Sequence, residues 1–300
     1  MTHTPLSAED LDRLINQPPR VAKLRNAIFA AADGLSPAVD LSRIYADGLE
    51  NLPGDGRFLL VGNHTSAGWP EILVTGYFVH RHLGVRLRGL AIDKVKEMTG
   101  FSRDLAEAVG AVPGQPDVAA ELMQRGEALL VFPGGGRDML KFKGEEYRLM
   151  WKGRSGFARI AVAHDYPIVP VGLVGGDDVF QSLVERNSTW ERMTRGIGER
   201  LHGLPGTGIP LMRGLGLTLL PRPQRMYLRF GKPISTTRLA GAGADTWEVT
   251  VKQRTQSALE AILADLQELR TGDPYRNLNP LAWGAALQPS QVAPPRRRST

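Results

Sequence analysis

Three short apolar runs, each closed by glycine or a polar break, most narrow what this chain can fold into. They are FLLV (Phe58–Val61), EALLVF (Glu127–Phe132) and YPIVPVGLVG (Tyr166–Gly175). Each is too short for a buried helix and is bounded by turn residues, so each reads as a buried strand. Between them lie segments of helical period: EILVTGYFVHRHL after Pro70, Pro116–Arg125 ahead of Gly126, and Ser155–His164. The repeating order of strand, glycine-rich loop and helix favours parallel pairing through crossover helices. The predicted fold class is α/β, a mostly parallel central sheet flanked by helices.

The flanking segments complete the expected organisation. Leu11–Ala32 is a helical opening broken at Pro18–Pro19, with Val21, Leu24, Ile28 and Ala31 at helical spacing. Val85–Ile92 and Met226–Phe230 are further strands, and Ala111–Gly114 is a short apolar stretch and turn. Val184–Leu201 is helical, and Thr246–Arg270 is a long amphipathic helix. These elements set a helical N-terminal region over 1–50, an α/β domain over 51–272, and an irregular tail over 273–300.

Composition excludes several chemistries. A chain of 300 residues, 42% hydrophobic and 23% charged, can bury a sizeable core without staples. It has no cysteine, which removes disulfides, thiolate nucleophiles and Cys-ligated zinc. The opening MTHTPLSAEDLDR lacks the pattern of a secretory signal, and no run approaches the ~18 apolar residues of a spanning helix. A cytoplasmic protein is expected. The net charge of +6 is uneven, with seven Lys/Arg against three Asp/Glu between Arg137 and Arg159. That patch suits anionic headgroups or a phosphorylated co-substrate, or else is a solvated face of mixed charge. No nucleic-acid-binding module accompanies it, so no nucleic-acid partner is expected.

VGNHTSAGWPEI (Val61–Ile72) carries the first candidate chemistry. His64 follows a strand and precedes a helix, where parallel sheets expose reactive groups. An imidazole there is suited to taking a hydroxyl proton, although a loop histidine satisfying a hydrogen bond fits the same position. The other histidines form no HExxH or similar ligand set with His64, so no metal is expected. Ser66 lacks a G-x-S-x-G elbow, which leaves serine-esterase chemistry with little support.

The second candidate is FPGGGRDMLKFKGEEY (Phe132–Tyr147). Consecutive glycines after a buried strand let the backbone turn sharply and approach an anion, and Arg137 offers two donors to a phosphate or carboxylate. The GK[ST] of a P-loop does not follow. A tight turn whose arginine ties down the next loop is the alternative.

Taken together, NHTSAGWPE, FPGGGRD and YPIVPV resemble three blocks of the glycerolipid acyltransferase superfamily, over roughly Arg57–Gly231. FPGGGRD is closer to the PGG-x-R-E version of the diacylglycerol acyltransferase 2 and transmembrane protein 68-like branches. The resemblance implies acyl transfer from acyl-CoA or acyl carrier protein to a lipid hydroxyl at the cytoplasmic face of a membrane, without a cofactor. It implies His64 as general base and Arg137 as the anion- or glycerol-binding residue, with Pro133, Gly134 and Gly135 shaping its loop. Asn63 and Asp138 fall within the same blocks as expected substrate contacts. The common block places an aspartate five residues after the histidine, where this chain has Trp69; Glu71 is then the local acid, and Asp138 a more remote one. Gly134 replaces the usual glutamate, which shifts the expected acceptor toward neutral alcohols. The Leu204–Leu220 region and the basic patch are expected to serve membrane contact or an acyl channel, or to pack as a hairpin on the core. A non-catalytic lipid- or acyl-carrier-binding protein that kept the fold is the alternative function.

Overall fold

A computed structural model of the chain describes residues 8–34, 42–68, 70–91, 98–238, 241 and 243–289. Trp69, Ile92 and the segment beyond residue 289, on which some of the expectations above fall, lie outside the described residues. Nine strands are described: β1 (Tyr45–Asp47), β2 (Leu59–Gly62), β3 (Leu87–Ala91), β4 (Ala111–Pro113), β5 (Ala128–Val131), β6 (Ile168–Val174), β7 (Gln181–Ser182), β8 (Met212–Arg213) and β9 (Tyr227–Phe230). The described helices are α1 (Ala8–Ile15), α2 (Pro19–Gly34), α3 (Pro70–Leu83), α4 (Gly100–Ala108), α5 (Pro116–Gln124), α6 (Gly136–Met139), α7 (Gly156–Ala163), α8 (Thr189–His202) and α9 (Ala244–Thr271).

Seven strands form one sheet in the order β1-β9-β6-β2-β5-β3-β4. Every pairing is parallel except β6 with β9, which is antiparallel. The expected mostly parallel α/β architecture is thus present, with β2 between β5 and β6 at its centre. The strands lack polar alternation because both faces are covered. Leu59 and Val61 point into a core shared with α5, α7 and α9, whereas Phe58 and Leu60 point to the other face, with Val79 of α3.

Segments on either side of the expected 51–272 domain pack onto it. β1 lies ahead of residue 51 yet pairs with β9, and Arg229 at the register position of Asp47 binds its carboxylate at 2.9 Å. Ala111–Pro113, expected as a stretch and turn, is the edge strand β4 beside β3. Both strands are three residues long, too short for a periodic signal. The first residues of the expected irregular tail dock against the sheet end. Buried Asp273 accepts hydrogen bonds from Arg225 Nη1 and the Tyr227 hydroxyl, each at 2.5 Å, and Arg225 also donates to the Leu287 carbonyl at 2.6 Å. In the N-terminal region the helix breaks before Pro19 as expected, and Arg13 of α1 bridges to Asp104 and Glu107 of α4 at 2.8 and 2.9 Å.

Candidate active site

The site begins where two central strands end side by side. β2 and β5 run parallel with Val61 opposite Val131, so Asn63–His64 and Phe132–Pro133 leave the sheet at the same edge. This is the carboxyl edge, where open α/β sheets place their ligands. Asn63, expected among the substrate contacts, bonds backbone in this structure. Its side chain is buried, with Nδ2 donating to the Leu173 carbonyl at 3.0 Å and Oδ1 accepting the Leu173 N–H at 2.9 Å. A side-chain amide presents the same donor and acceptor as a peptide, so Asn63 extends the β2–β6 ladder past the strand's last residue and fixes where the next residue starts.

That next residue is His64. Its Nδ1 meets Oε1 of Glu71, seven positions along the chain. Glu71 is in the first turn of α3, where the helix dipole favours a negative charge, and it is almost wholly buried. The same carboxylate accepts the Thr65 N–H at 2.8 Å and the Thr65 hydroxyl at 2.9 Å, closing the loop onto the helix. A carboxylate only accepts, so the proton shared with it belongs on Nδ1 and Nε2 is left as the ring's acceptor. The imidazole also stacks on Phe132 from the end of β5, with ring centroids 4.6 Å apart and planes inclined by 22°.

Beneath this loop is a buried ion pair that sequence reasoning missed. Lys141 Nζ donates to Asp177 Oδ2 at 2.6 Å and to the His64 carbonyl at 3.1 Å. Asp177 in turn accepts the Ser66 N–H at 2.7 Å, the Ser66 hydroxyl at 2.9 Å and the Tyr147 N–H at 2.7 Å. Three loops, following β2, β5 and β6, are therefore tied at one point. Ser66 is held by Asp177 rather than by His64, and the basic stretch Arg137–Arg159 is not wholly a surface patch, since Lys141 is buried. One sequence signal was available: a lysine flanked by Leu140 and Phe142 sits oddly in an exposed basic run.

The PGGG loop separates its two polar residues. Asp138 of α6 points inward and is buried completely, accepting the Met150 N–H at 2.7 Å. Of the two acids expected near His64, Glu71 is the one at the ring. Burial pushes the Asp138 carboxyl above its ordinary range, although Lys141 and the N–H groups of Met150 and His64 oppose that shift. Gly134 is required by this arrangement, because a Cβ there would lie 2.0 Å from Asp138 Cγ. Arg154, a residue sequence reasoning did not single out, donates from Nη1 to the carbonyls of Pro133 and Gly134 at 3.0 and 3.1 Å. It clamps the loop whose shape was expected from Pro133, Gly134 and Gly135.

Arg137 faces the other way. It borders a small pocket with Leu140, Met150, Lys152, Arg186 and Thr207. Arg186 is committed to Glu145, at 2.5 and 2.7 Å, whereas neither Arg137 nor Lys152 has an ion pair among the described residues. A pocket with two unneutralised cations suits an anionic group.

Comparison with known proteins bears on the family rather than on single residues. The family model described as Acyltransferase matches residues 43–174, which span β1 through β6 and include His64, Glu71, Arg137, Lys141 and Arg154. The chain is 32% identical to phytyl ester synthase 2, chloroplastic, of Arabidopsis thaliana, over 83% of this chain and 38% of that one. It is 31% identical to an uncharacterized protein of Mycobacterium tuberculosis, over 77% of this chain and 64% of the other. It is 30% identical to the human DGAT1/2-independent enzyme synthesizing storage lipids, over 45% of this chain and 41% of that one. The chain thus spans less than two thirds of the length of these relatives. Among solved structures it is similar to the 1-acyl-sn-glycerophosphate acyltransferase PlsC of Thermotoga maritima, with a TM-score of 0.48 and 16% identity over 84% of this chain and 86% of the other. Residues 43–174 are thus matched as an acyltransferase domain within this chain.

Proposed function

We propose that this protein is a lipid O-acyltransferase that moves a fatty acyl group from an acyl thioester to a lipid alcohol by direct general-base catalysis. The observation that carries the reading is the His64–Glu71 pair at the carboxyl edge of β2, beside the Phe132–Arg137 loop. With Nδ1 engaged by Glu71, Nε2 takes the proton of the acceptor hydroxyl. The alkoxide oxygen attacks the thioester carbonyl, the C–S bond breaks, and the departing thiolate takes the proton back from the imidazolium. No covalent acyl-enzyme is formed. Glu71 orients the ring and stabilises its protonated form, while Asn63, Lys141 and Asp177 hold the loop that carries it.

Arg137 and Lys152 would bind an anionic part of a substrate. The thioester donors of this chemistry, acyl-CoA and acyl carrier protein, both carry a phosphopantetheine arm that could supply it. The acceptor is a neutral alcohol: a monoacylglycerol, a diacylglycerol, or a long-chain alcohol, the last in keeping with the phytyl ester synthase among the relatives. The reaction takes place with the protein held peripherally at the cytoplasmic face of a membrane. No described helix is long and apolar enough to cross one.

The test is purified protein incubated with labelled acyl-CoA or acyl carrier protein and a panel of lipid alcohols, with products identified by mass spectrometry. Time-dependent ester formation, absent in His64→Ala, is expected. Stoichiometric binding with no ester from either donor would overturn the reading in favour of a non-catalytic lipid- or acyl-carrier-binding protein.

A further inference from the structure

Helix α8 turns an apolar stripe to solvent. Trp190, Met193, Ile197 and Leu201 are spaced by three, four and four residues and so share one face. Met193 is 77% exposed, and Ile197 and Leu201 are each 62% exposed. The loop between β8 and β9 is more open still, with Leu217 at 86%, Leu219 at 73% and Leu220 at 61%. Isolated exposed leucines are ordinary, but this concentration on one helix and one loop is not.

Two features specify what covers it. The first is charge: Arg200 and Arg222 border these segments with no ion pair or side-chain hydrogen bond among the described residues, and the Arg192 side chain bonds the Thr189 hydroxyl at 3.4 Å without an ion pair among them. The second is the loop backbone, which closes on itself through Gly214 N–H to the Thr218 carbonyl at 2.6 Å and Leu215 N–H to the Leu220 carbonyl at 2.7 Å. An apolar tip whose backbone is partly bonded within itself strands fewer polar groups on entering a lipid interface. The helix is tied to the segment that leads into β8, and through β8 to the loop, because Trp190 Nε1 donates to the Ile209 carbonyl and Ile209 N–H donates to Thr194 Oγ1, each at 3.0 Å.

We propose that the α8 stripe and the Leu215–Leu220 tip form the docking surface for an anionic lipid bilayer. The apolar side chains enter the interface and the unpaired arginines meet the headgroups. The surface continues into the candidate site: Leu204, just past α8, lies 3.5 Å from where a Gly136 Cβ would be, and Thr207 borders the Arg137 pocket. A lipid alcohol leaving the bilayer would meet the PGGG loop first. This last point rests on the acyltransferase reading, whereas the docking itself does not.

The test is flotation of the full chain with vesicles of phosphatidylcholine plus phosphatidylglycerol, and of phosphatidylcholine alone. Wild type is expected to bind the anionic vesicles more tightly and to lose binding as salt rises. I197E/L201E and, separately, L217E/L219E are expected to weaken that binding about tenfold or more with an unchanged melting temperature. The serine pair I197S/L201S serves if a glutamate variant fails to fold. R200A/R222A is expected to reduce binding to the anionic vesicles alone. Unchanged vesicle affinity in all the apolar variants would overturn the proposal. So would loss of a dimer in sedimentation with vesicle affinity intact, which would make the stripe a contact between copies of this chain. Flotation needs no turnover, so docking and acyl transfer fail independently.

Discussion

The carboxylate of Asp138 fills the space that a side chain on Gly134 would need, with Asp138 Cγ only 2.0 Å from where the Gly134 Cβ would sit. The two positions are therefore one choice. In the wild-type background, Gly134→Ala is expected to cost about 1–3 kcal/mol through forced displacement of the buried carboxylate. In an Asp138→Ala background the same change should cost little. A double-mutant cycle by urea unfolding measures the coupling, and additive effects would show that Gly134 is there for another reason.

Asp138 also makes a pH prediction. Its folded-state carboxyl is raised above the ordinary range, chiefly by burial, so the folded state binds its proton more readily than the unfolded chain does. The stability it contributes is fully present below the ordinary carboxylate range and is lost as pH rises through the raised value. Asp138→Asn does not titrate there. The stability of wild type relative to that variant should therefore increase as the pH is lowered from about 7 toward about 4. Denaturant titrations at several pH values check the trend.

The His64–Glu71 contact separates two roles. His64→Ala is expected to lower acyl transfer by about 10²- to 10⁴-fold with little change in melting temperature. Glu71→Gln keeps the size of the side chain but offers an amide in place of a carboxylate that accepts three hydrogen bonds. It is expected to lower kcat more than it raises KM and to shift the pH–rate profile of the transfer. An unchanged profile would remove Glu71 from the proton path.

Lys141→Met should leave Asp177 buried with its charge uncompensated, at a cost of about 3–5 kcal/mol. Lys141→Met with Asp177→Asn is expected to recover part of that stability. Activity should recover less, because the His64 carbonyl still lacks its donor. Chemical denaturation and turnover measured on the same preparations distinguish the two effects.

Arg137 and Arg154 should behave differently. Arg137→Ala removes a cation that has no protein partner among the described residues, so an increase in KM for the anionic co-substrate is expected at near-normal stability. Arg154→Ala frees the Pro133 and Gly134 carbonyls and is expected to lower kcat by loosening the loop. Steady-state kinetics with the donor varied separates the two outcomes.

Much of the architecture was legible from local pattern alone. The unalternating apolar runs required a sheet covered on both faces, and their order with the helices required parallel pairing. The same reading located His64 and the PGGG turn at strand ends, because strand termination is written in glycine, proline and polar residues. Glu71 could be named as a partner because it lies seven residues away on a helix start, within reach of local geometry. The roles of Asn63, Asp138, Lys141 and Arg154 were decided only by the tertiary structure. Each acts on backbone or charge that other strands bring into place: Asn63 on Leu173, Lys141 on Asp177, Asp138 on Met150, and Arg154 on the PGGG carbonyls. A polar residue type carries no mark of whether its partner is solvent, substrate or a loop distant in the chain. Burial makes that assignment, and burial is a property of the assembled fold.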